Sequence, residues 1–483
     1  MDSFKGMTIA QVREKYPVYD AKELEAVLTR ELSRFDRTVV VLDDDPTGTQ
    51  TVSGVPVVTS WEQSLLQEEL RKKPRMLFIL TNSRALTAAQ SQALHRELAE
   101  NLLAAAKACG REFLLISRGD STLRGHFPLE TQTLREVLEA HGRQVDGEIL
   151  CPFFQEGGRF TAGNIHYLEE DGLLKPVGES EFAADKTFGY RSSHLGEWIE
   201  EKTGGAYPAE NVRYIALEDL RTGNREQVRA VLEQAQKFEK IVVNAISYQD
   251  LECFVPELLK TIAEGKTFLL RTASSILRVL AGCRGGVLTR QELTDTENTN
   301  GGVVIVGSHV KKTTRQLERL LEGGSILPLE FNQHLVLDAE AFCREIQRVS
   351  DAADQAIAQG KNVAIYTRRE RLDLNAADKE DELRLATRIS EGVVQIIADL
   401  KIRPNFIIAK GGITSSDVAT QGLSLRRAMV MGQILPGIPV WRTGQESKFP
   451  GMPYVIFPGN VGDENSLLDA VKKLAPDPAS EKE

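Results

Sequence analysis

Three consecutive carboxylates, Asp43, Asp44 and Asp45, end the apolar run Val39–Leu42 and lead into Pro46-Thr47-Gly48-Thr49-Gln50. Carboxylates crowded into one turn repel each other unless a cation is near. Arg118 or Arg124 is expected to supply it. One Asp is read as accepting a hydrogen bond from a substrate hydroxyl, or as its base. The competing reading is an Asp that caps the next helix while Gly48 makes the turn.

A second polar loop, Ser117 to His126, follows Phe113–Ile116. Asp120, Ser121 and Thr122 offer acceptors and hydroxyls. Arg124 offers a planar fork suited to a carboxylate. Gly119 and Gly125 let the backbone approach a ligand closely. Thr81-Asn82-Ser83-Arg84 after Met76–Leu80 is either a further substrate contact or a helix cap. Gly157-Gly158-Arg159 and Gly163-Asn164-Ile165-His166 set polar groups beside glycines, and His166 is read as a substrate contact or as structural.

Beyond residue 300 the strand-end loops carry Gly, Ser and Thr and little charge. They are Gly307-Ser308-His309, Gly411-Gly412-Ile413-Thr414-Ser415-Ser416 and Gly459-Asn460-Val461-Gly462. Glycines and hydroxyls at a helix N-terminus suit phosphate. The Gly411 loop is not the Walker A pattern, because Lys410 precedes its glycines. No HExxH or GxSxG motif is present, and no GxGxxG with its acidic partner.

These loops need strands to end where they begin. Apolar runs alternate with amphipathic stretches such as Ala88–Cys109 and Leu129–His141, whose apolar residues recur at helical spacing. The alternation predicts an α/β protein of two domains, each a mostly parallel sheet flanked by helices. Parallel sheets bind ligands past the carboxyl ends of their strands. The expected divisions are an N-terminal extension (1–36), a first domain (37–293), a second domain (301–475) and a disordered tail (476–483). Asp295–Gly302 is the candidate boundary, and residues 155–195 read as a long excursion over a site.

At 483 residues the chain exceeds one ordinary core. A net charge of −10 argues against a nucleic-acid partner. The five cysteines are widely spaced without a CxxC pair, so a reducing cytoplasm is expected. No apolar run approaches the ~20 residues of a membrane helix, and the first residues lack a secretory h-region.

Asp44-Asp45-Pro46-Thr47-Gly48, Asp120-Ser121-Thr122 with Arg124-Gly125, Gly307-Ser308 and Gly411-Gly412-Ile413-Thr414-Ser415 together resemble the four-carbon acid sugar kinase family, in order, over about residues 36 to 475. That family phosphorylates threonate, erythronate or 3-oxo-tetronate with ATP. The resemblance implies an N-terminal acid-sugar-binding domain and a C-terminal nucleotide-binding domain. It implies that Asp44, Asp45, Asp120, Ser121 and Arg124 meet the acid sugar. It implies that Ser308, Gly411, Gly412, Ile413, Thr414 and Gly459 meet ATP. Two loops depart from the family pattern. Pro46 and Thr49 replace the Phe and Ala of Asp-Asp-Phe-Thr-Gly-Ala, and Ile413 replaces the Glu of Gly-Gly-Glu-Thr-Ser. A branched oxo-acid such as 3-oxo-isoapionate is therefore a further substrate option.

The expected chemistry is transfer of the ATP γ-phosphoryl group to a substrate hydroxyl, with Mg²⁺ on the phosphates. Asp45 or Asp120 would be the base, and Arg124 with Arg118 would hold the carboxylate. Closure of the domains would exclude water. An ATP-independent sugar-acid lyase or isomerase, or a non-catalytic nucleotide sensor, stays open. So does the oligomeric state, a homodimer included.

Overall fold

The computed structural model describes residues 4–283, 285–295, 297–370, 372, 379–459 and 461–475. The expected disordered tail and Asn460 lie outside the described residues. The chain divides into two compact units, Met1–Val55 with Ser60–Arg284, and Pro56–Thr59 with Gly285–Glu483.

The first unit is built on strands in the spatial order Met76–Leu80, Thr38–Asp43, Phe113–Arg118, Phe268–Thr272, Gly147–Cys151, Glu239–Val243 and Arg213–Ile215. Every neighbouring pair is parallel. Thr38–Asp43 and Phe113–Arg118 are buried along their whole length, as strands covered by helices on both faces must be. One group of helices comprises Gln63–Arg71, Ala88–Cys109 and Leu129–Ala140. Another gathers Ala21–Arg34, Arg225–Glu233 and Ser275–Ala281 around Tyr248–Ala263. Ala88–Cys109 opens on a Thr87–Gln90 capping box and stops at Gly110, whose φ of 58° is the left-handed conformation that ends helices.

The excursion is an antiparallel sheet of Arg159–Ala162, Ile165–Glu170 and Leu173–Pro176. Leu168, Val177 and Tyr190 from this region share one apolar cluster with Phe127, Leu150, Trp198 and Val242, so it is anchored to the main sheet. The N-terminal residues are fastened too. Arg13 Nε donates to the Ile246 carbonyl at 3.2 Å, and the Tyr19 hydroxyl donates to Asp250 at 2.9 Å.

The second unit orders its strands Leu327–Phe331, Val363–Thr367, Val303–Val306, Ile407–Lys410, Pro453–Phe457, Ile438–Thr443 and Arg427–Leu435. The first five run parallel, and the last two join as antiparallel neighbours. The α/β expectation of mostly parallel, helix-flanked sheets therefore holds in both units. Leu293, Val304, Phe406, Ile408, Val455 and Leu467 contribute to the core here.

The Gly301-Gly302 pair explains itself sterically. A Cβ on Gly301 would lie 1.8 Å from the Lys361 carbonyl oxygen, and one on Gly302 would lie 2.2 Å from the Phe406 ring. Gly301→Ala must displace backbone, so a loss of about 1–3 kcal/mol is expected. Gly286→Ala, where a Cβ meets nothing within 4 Å, is the neutral control. Urea midpoints followed by circular dichroism check both; equal midpoints would remove the steric account.

Candidate functional site

The three carboxylates after Val39–Leu42 are held by two arginines. Arg84 grips Asp44 with two bonds of 2.7 and 3.0 Å and stands 3.6 Å from Asp45. Arg118 lies 3.1 Å from Asp43 and 3.4 Å from Asp44. Arg124, the other expected partner of this cluster, pairs with Asp120 at 2.7 Å instead. The Arg84 guanidinium is the cation that sequence reading undervalued. It follows Asn82, whose φ of 52° turns the chain just past the neighbouring strand.

The cluster leaves no room for side chains around it. A Cβ on Gly48 would fall 2.2 Å from the Asp43 carboxylate oxygens, and one on Gly119 would fall 2.3 Å from Arg271. Arg271 itself donates to Ser117 at 2.7 Å and to Glu130 at 2.6 Å. Burial alone would raise Glu130. Arg271 and His95 outweigh it and bring the carboxyl down to about 2. Neither Arg271 nor Glu130 stood out in the sequence, because each lies within an ordinary strand or helix pattern.

Exposure separates the carboxylates. Asp43 and Asp44 are closed to solvent, as is Arg118. Asp45 and Asp120 keep side-chain exposures of 21% and 13%. Asp45 also caps the turn Pro46–Thr51 by accepting from the Thr47 N–H at 2.9 Å, so the capping reading and the site reading both hold for it. Burial would raise both Asp45 and Asp120. Arg84 outweighs it in both, helped by Arg118 at Asp45 and by Arg124 at Asp120, and both carboxyls are held below the usual range. Asp120 anchors one oxygen, Oδ2, on Thr122 and Arg124. Asp43 is opposite: burial pushes it up to about 7 despite Arg118.

His166 is structural. It is fully buried, its Nδ1 accepts from Thr161 at 2.9 Å, and its Nε2 donates to the Ser121 carbonyl at 2.8 Å. It props the Ser121 loop from behind, as Tyr190 does by donating to the Thr122 carbonyl at 2.7 Å.

In the second unit, Val306 aligns with Lys410 and Lys410 with Phe457, so three loops leave adjacent strands side by side. Gly307, Ser308, Gly411 and Thr414 converge: a Cβ on Gly307 would be 3.2 Å from the Thr414 hydroxyl, and one on Gly411 3.9 Å from Ser308. Gly411 has φ 111°, which a side chain would strain. Gly412 opens the helix Gly412–Asp417, and Ile413 is exposed. Lys410 stands before the glycines, so it is not a Walker A lysine. It is buried, and its Nζ donates to the Pro458 carbonyl at 2.6 Å and lies 3.4 Å from that of Gly459. A cavity of about 200 Å³ opens beside Gly307 and Thr414, with Leu385, Ala386, Ile389 and Val393 on its apolar wall.

The chain matches the family model described as a sugar-binding N-terminal domain over residues 39–280 and that of a nucleotide-binding C-terminal domain over 303–467. The chain belongs to the four-carbon acid sugar kinase family, DUF1537. Two solved structures share its fold. Haemophilus influenzae protein HI1011, a DUF1537 protein, is 18% identical, with a TM-score of 0.61 over 89% of this chain and 99% of that one. A Salmonella typhimurium LT2 protein, provisionally described as a tRNA synthase, is 17% identical, with a TM-score of 0.62 over 90% and 99%. No curated protein matches the chain. No helix among the described residues is long and apolar enough to cross a membrane.

Two ionisable groups give pH signatures. Burial lowers His166 from 6.5 to about 4, so the folded state keeps it neutral while the unfolded chain protonates. Stability then falls as pH drops from about 6.5 towards 4, and His166→Phe is expected to flatten that fall. Burial, with the nearby Lys312 charge, lowers Lys410 from 10.5 to about 7. The folded state favours the neutral amine, so wild type gains stability over Lys410→Met as pH rises from about 7 to 10. Melting temperatures across both windows check these; parallel curves for wild type and variant would refute either assignment.

Proposed function

We propose that this member of the family is an ATP-dependent kinase. It phosphorylates a hydroxyl of a four-carbon acid sugar (threonate, erythronate or 3-oxo-tetronate) or of a close branched oxo-acid such as 3-oxo-isoapionate. The observation that carries this reading is the pairing of two unlike sites in one family member. The sugar-binding unit has two reachable, ionised carboxylates among arginines. The nucleotide-binding unit has glycines and hydroxyls converging beside an apolar cavity.

The substrate hydroxyl is taken by Asp45 and Asp120. Asp120 is the base: Arg124 and Thr122 fix its Oδ2, which leaves Oδ1 to accept the proton. The deprotonated oxygen attacks the γ-phosphorus, the bond to the β-phosphate oxygen breaks, and ADP leaves. Asp44 and Arg118 act from behind, fixing the loop that carries Asp45, and Ser121 follows Asp120 on its loop as a further substrate contact. The ATP phosphates lie against Ser308, Gly411, Gly412, Thr414 and Gly459, where backbone N–H groups and hydroxyls meet them. Ile413 and the cavity wall take the apolar base.

Among the described residues no three His, Cys, Asp or Glu side chains gather into a metal cage. An Mg²⁺ carried by the nucleotide would keep waters and need few protein ligands. When bound, it neutralises phosphate charge during transfer.

A coupled ADP-release assay with Mg-ATP and a panel of four- and five-carbon aldonic and oxo-aldonic acids tests the reading. Release that depends on one acid is expected. Acid conversion without ATP would replace the kinase with a lyase or isomerase. With the active acid, Asp120→Asn should lower kcat by at least ~10²-fold. A near-wild-type kcat there would move the base to Asp45.

A further inference from the structure

The arginines of the sugar-binding unit divide by occupation. Arg84 is committed to Asp44 at 2.7 Å, Arg118 to Asp43 at 3.1 Å, Arg124 to Asp120 at 2.7 Å and Arg271 to Glu130 at 2.6 Å. Arg159 is committed to nothing: its guanidinium makes no hydrogen bond or ion pair among the described residues, and its Nε is sealed from solvent without a partner.

Its position is built. The backbone N–H and carbonyl of Arg159 both pair with Phe154, at 2.9 and 3.0 Å, and fix where the side chain starts. The guanidinium lies 5.9 Å from the centre of the Phe182 ring, and Arg124 lies 4.8 Å from the same ring. Gly157 is beside it, where a Cβ would come within 3.2 Å of Nη1. Burial disfavours its charge, Asp120 favours it, and Arg124 opposes it. A half-buried guanidinium without an anion is costly to hold, and a bound anion removes that cost.

We propose that Arg159 is the residue that anchors the substrate carboxylate, taking both of its oxygens in the planar fork of the guanidinium. This rests on the acid-sugar reading and revises one part of it. Arg124 orients Asp120, and Arg159 selects an acid over a neutral sugar. Arg159 shares the Phe182 ring with Arg124, and Arg124 pairs with Asp120 at 2.7 Å, so a carboxylate at Arg159 sits on the side of the site that carries the Asp120 loop.

Isothermal calorimetry on the full chain tests this without requiring phosphoryl transfer. The probes are D- and L-threonate, D- and L-erythronate, their neutral amides, and inorganic phosphate. Wild type is expected to bind at least one acid more tightly than its amide. Arg159→Met should weaken that acid by at least about tenfold, as loss of a charged hydrogen-bonded pair does, and leave the amide and ATP unchanged. Arg159→Lys should restore part of the loss, because it returns the charge without the fork. Its recovery also separates recognition from a folding defect, as does an unchanged melting temperature. Equal weakening of acid and amide, no weakening, or no wild-type preference for any acid would overturn the assignment. So would inorganic phosphate binding as tightly as the acid and being lost with it. If the acid binds through Arg159 but ADP release stays silent, the kinase reading fails and the anchor stands.

Discussion

Three carboxylates in sequence at the end of a buried strand set the terms for the sugar-binding unit. They cannot stay ionised there without cations, because burial and mutual repulsion both favour protonation. Arg84 and Arg118 supply the charge from two neighbouring strand ends, and Arg84 does so through a two-bond grip that fixes direction as well as charge. The surrounding glycines follow from the same crowding. At Gly48 the space is taken by the Asp43 carboxylate, and at Gly119 and Gly125 by Arg271. Removing one partner of such a buried pair leaves the other uncompensated, which typically costs ~3–5 kcal/mol. The loop is therefore stiff, and Asp45, its carboxylate that reaches solvent, is presented by it rather than free to move.

The nucleotide-binding unit solves a different problem. Its loops are low in charge and are held by side chains that take their carbonyls: Arg369 donates to that of Ser308 at 2.7 Å, and Gln316 to those of Val461 and Asp463 at 3.2 and 2.7 Å. Lys410 acts in the same way. It reaches from the end of one strand to the carbonyls after the next, ties two loops together, and sits 4.1 Å from the Phe457 ring centre. Ser415 adds a second tie by donating to the Ala409 and Gly411 carbonyls, both at 2.7 Å. Both side chains turn onto backbone carbonyls, while Ile413 of the same loop stays exposed.

The alternation of apolar runs and amphipathic stretches was legible because parallel strands buried on both faces leave a continuous apolar signal. Ala88–Cys109 has the limits its pattern predicts. The site loops were legible because chemistry-bearing residues cluster after those strands. Pairing was not. Nothing in the sequence distinguishes Arg84 from Arg124 as the partner of Asp44, since that depends on which strands are neighbours and how the chain turns at Asn82. For His166 the sequence left a substrate contact and a structural role both open, and full burial with two hydrogen bonds makes it a prop.

Arg159 is the sharpest case of what only three-dimensional accounting reveals. In the sequence it is an arginine after two glycines, no more suggestive than Arg84. In the fold, each neighbouring arginine already has its carboxylate, so the significance of Arg159 lies in what it lacks. Charge balance makes the same point from the other side. A site that pairs its own acids so completely has little attraction left for an anionic substrate unless one cation is withheld from pairing. Withholding it at the Phe182 ring, which Arg124 also faces, would let one end of a short acid be held electrostatically while the other is offered to the base.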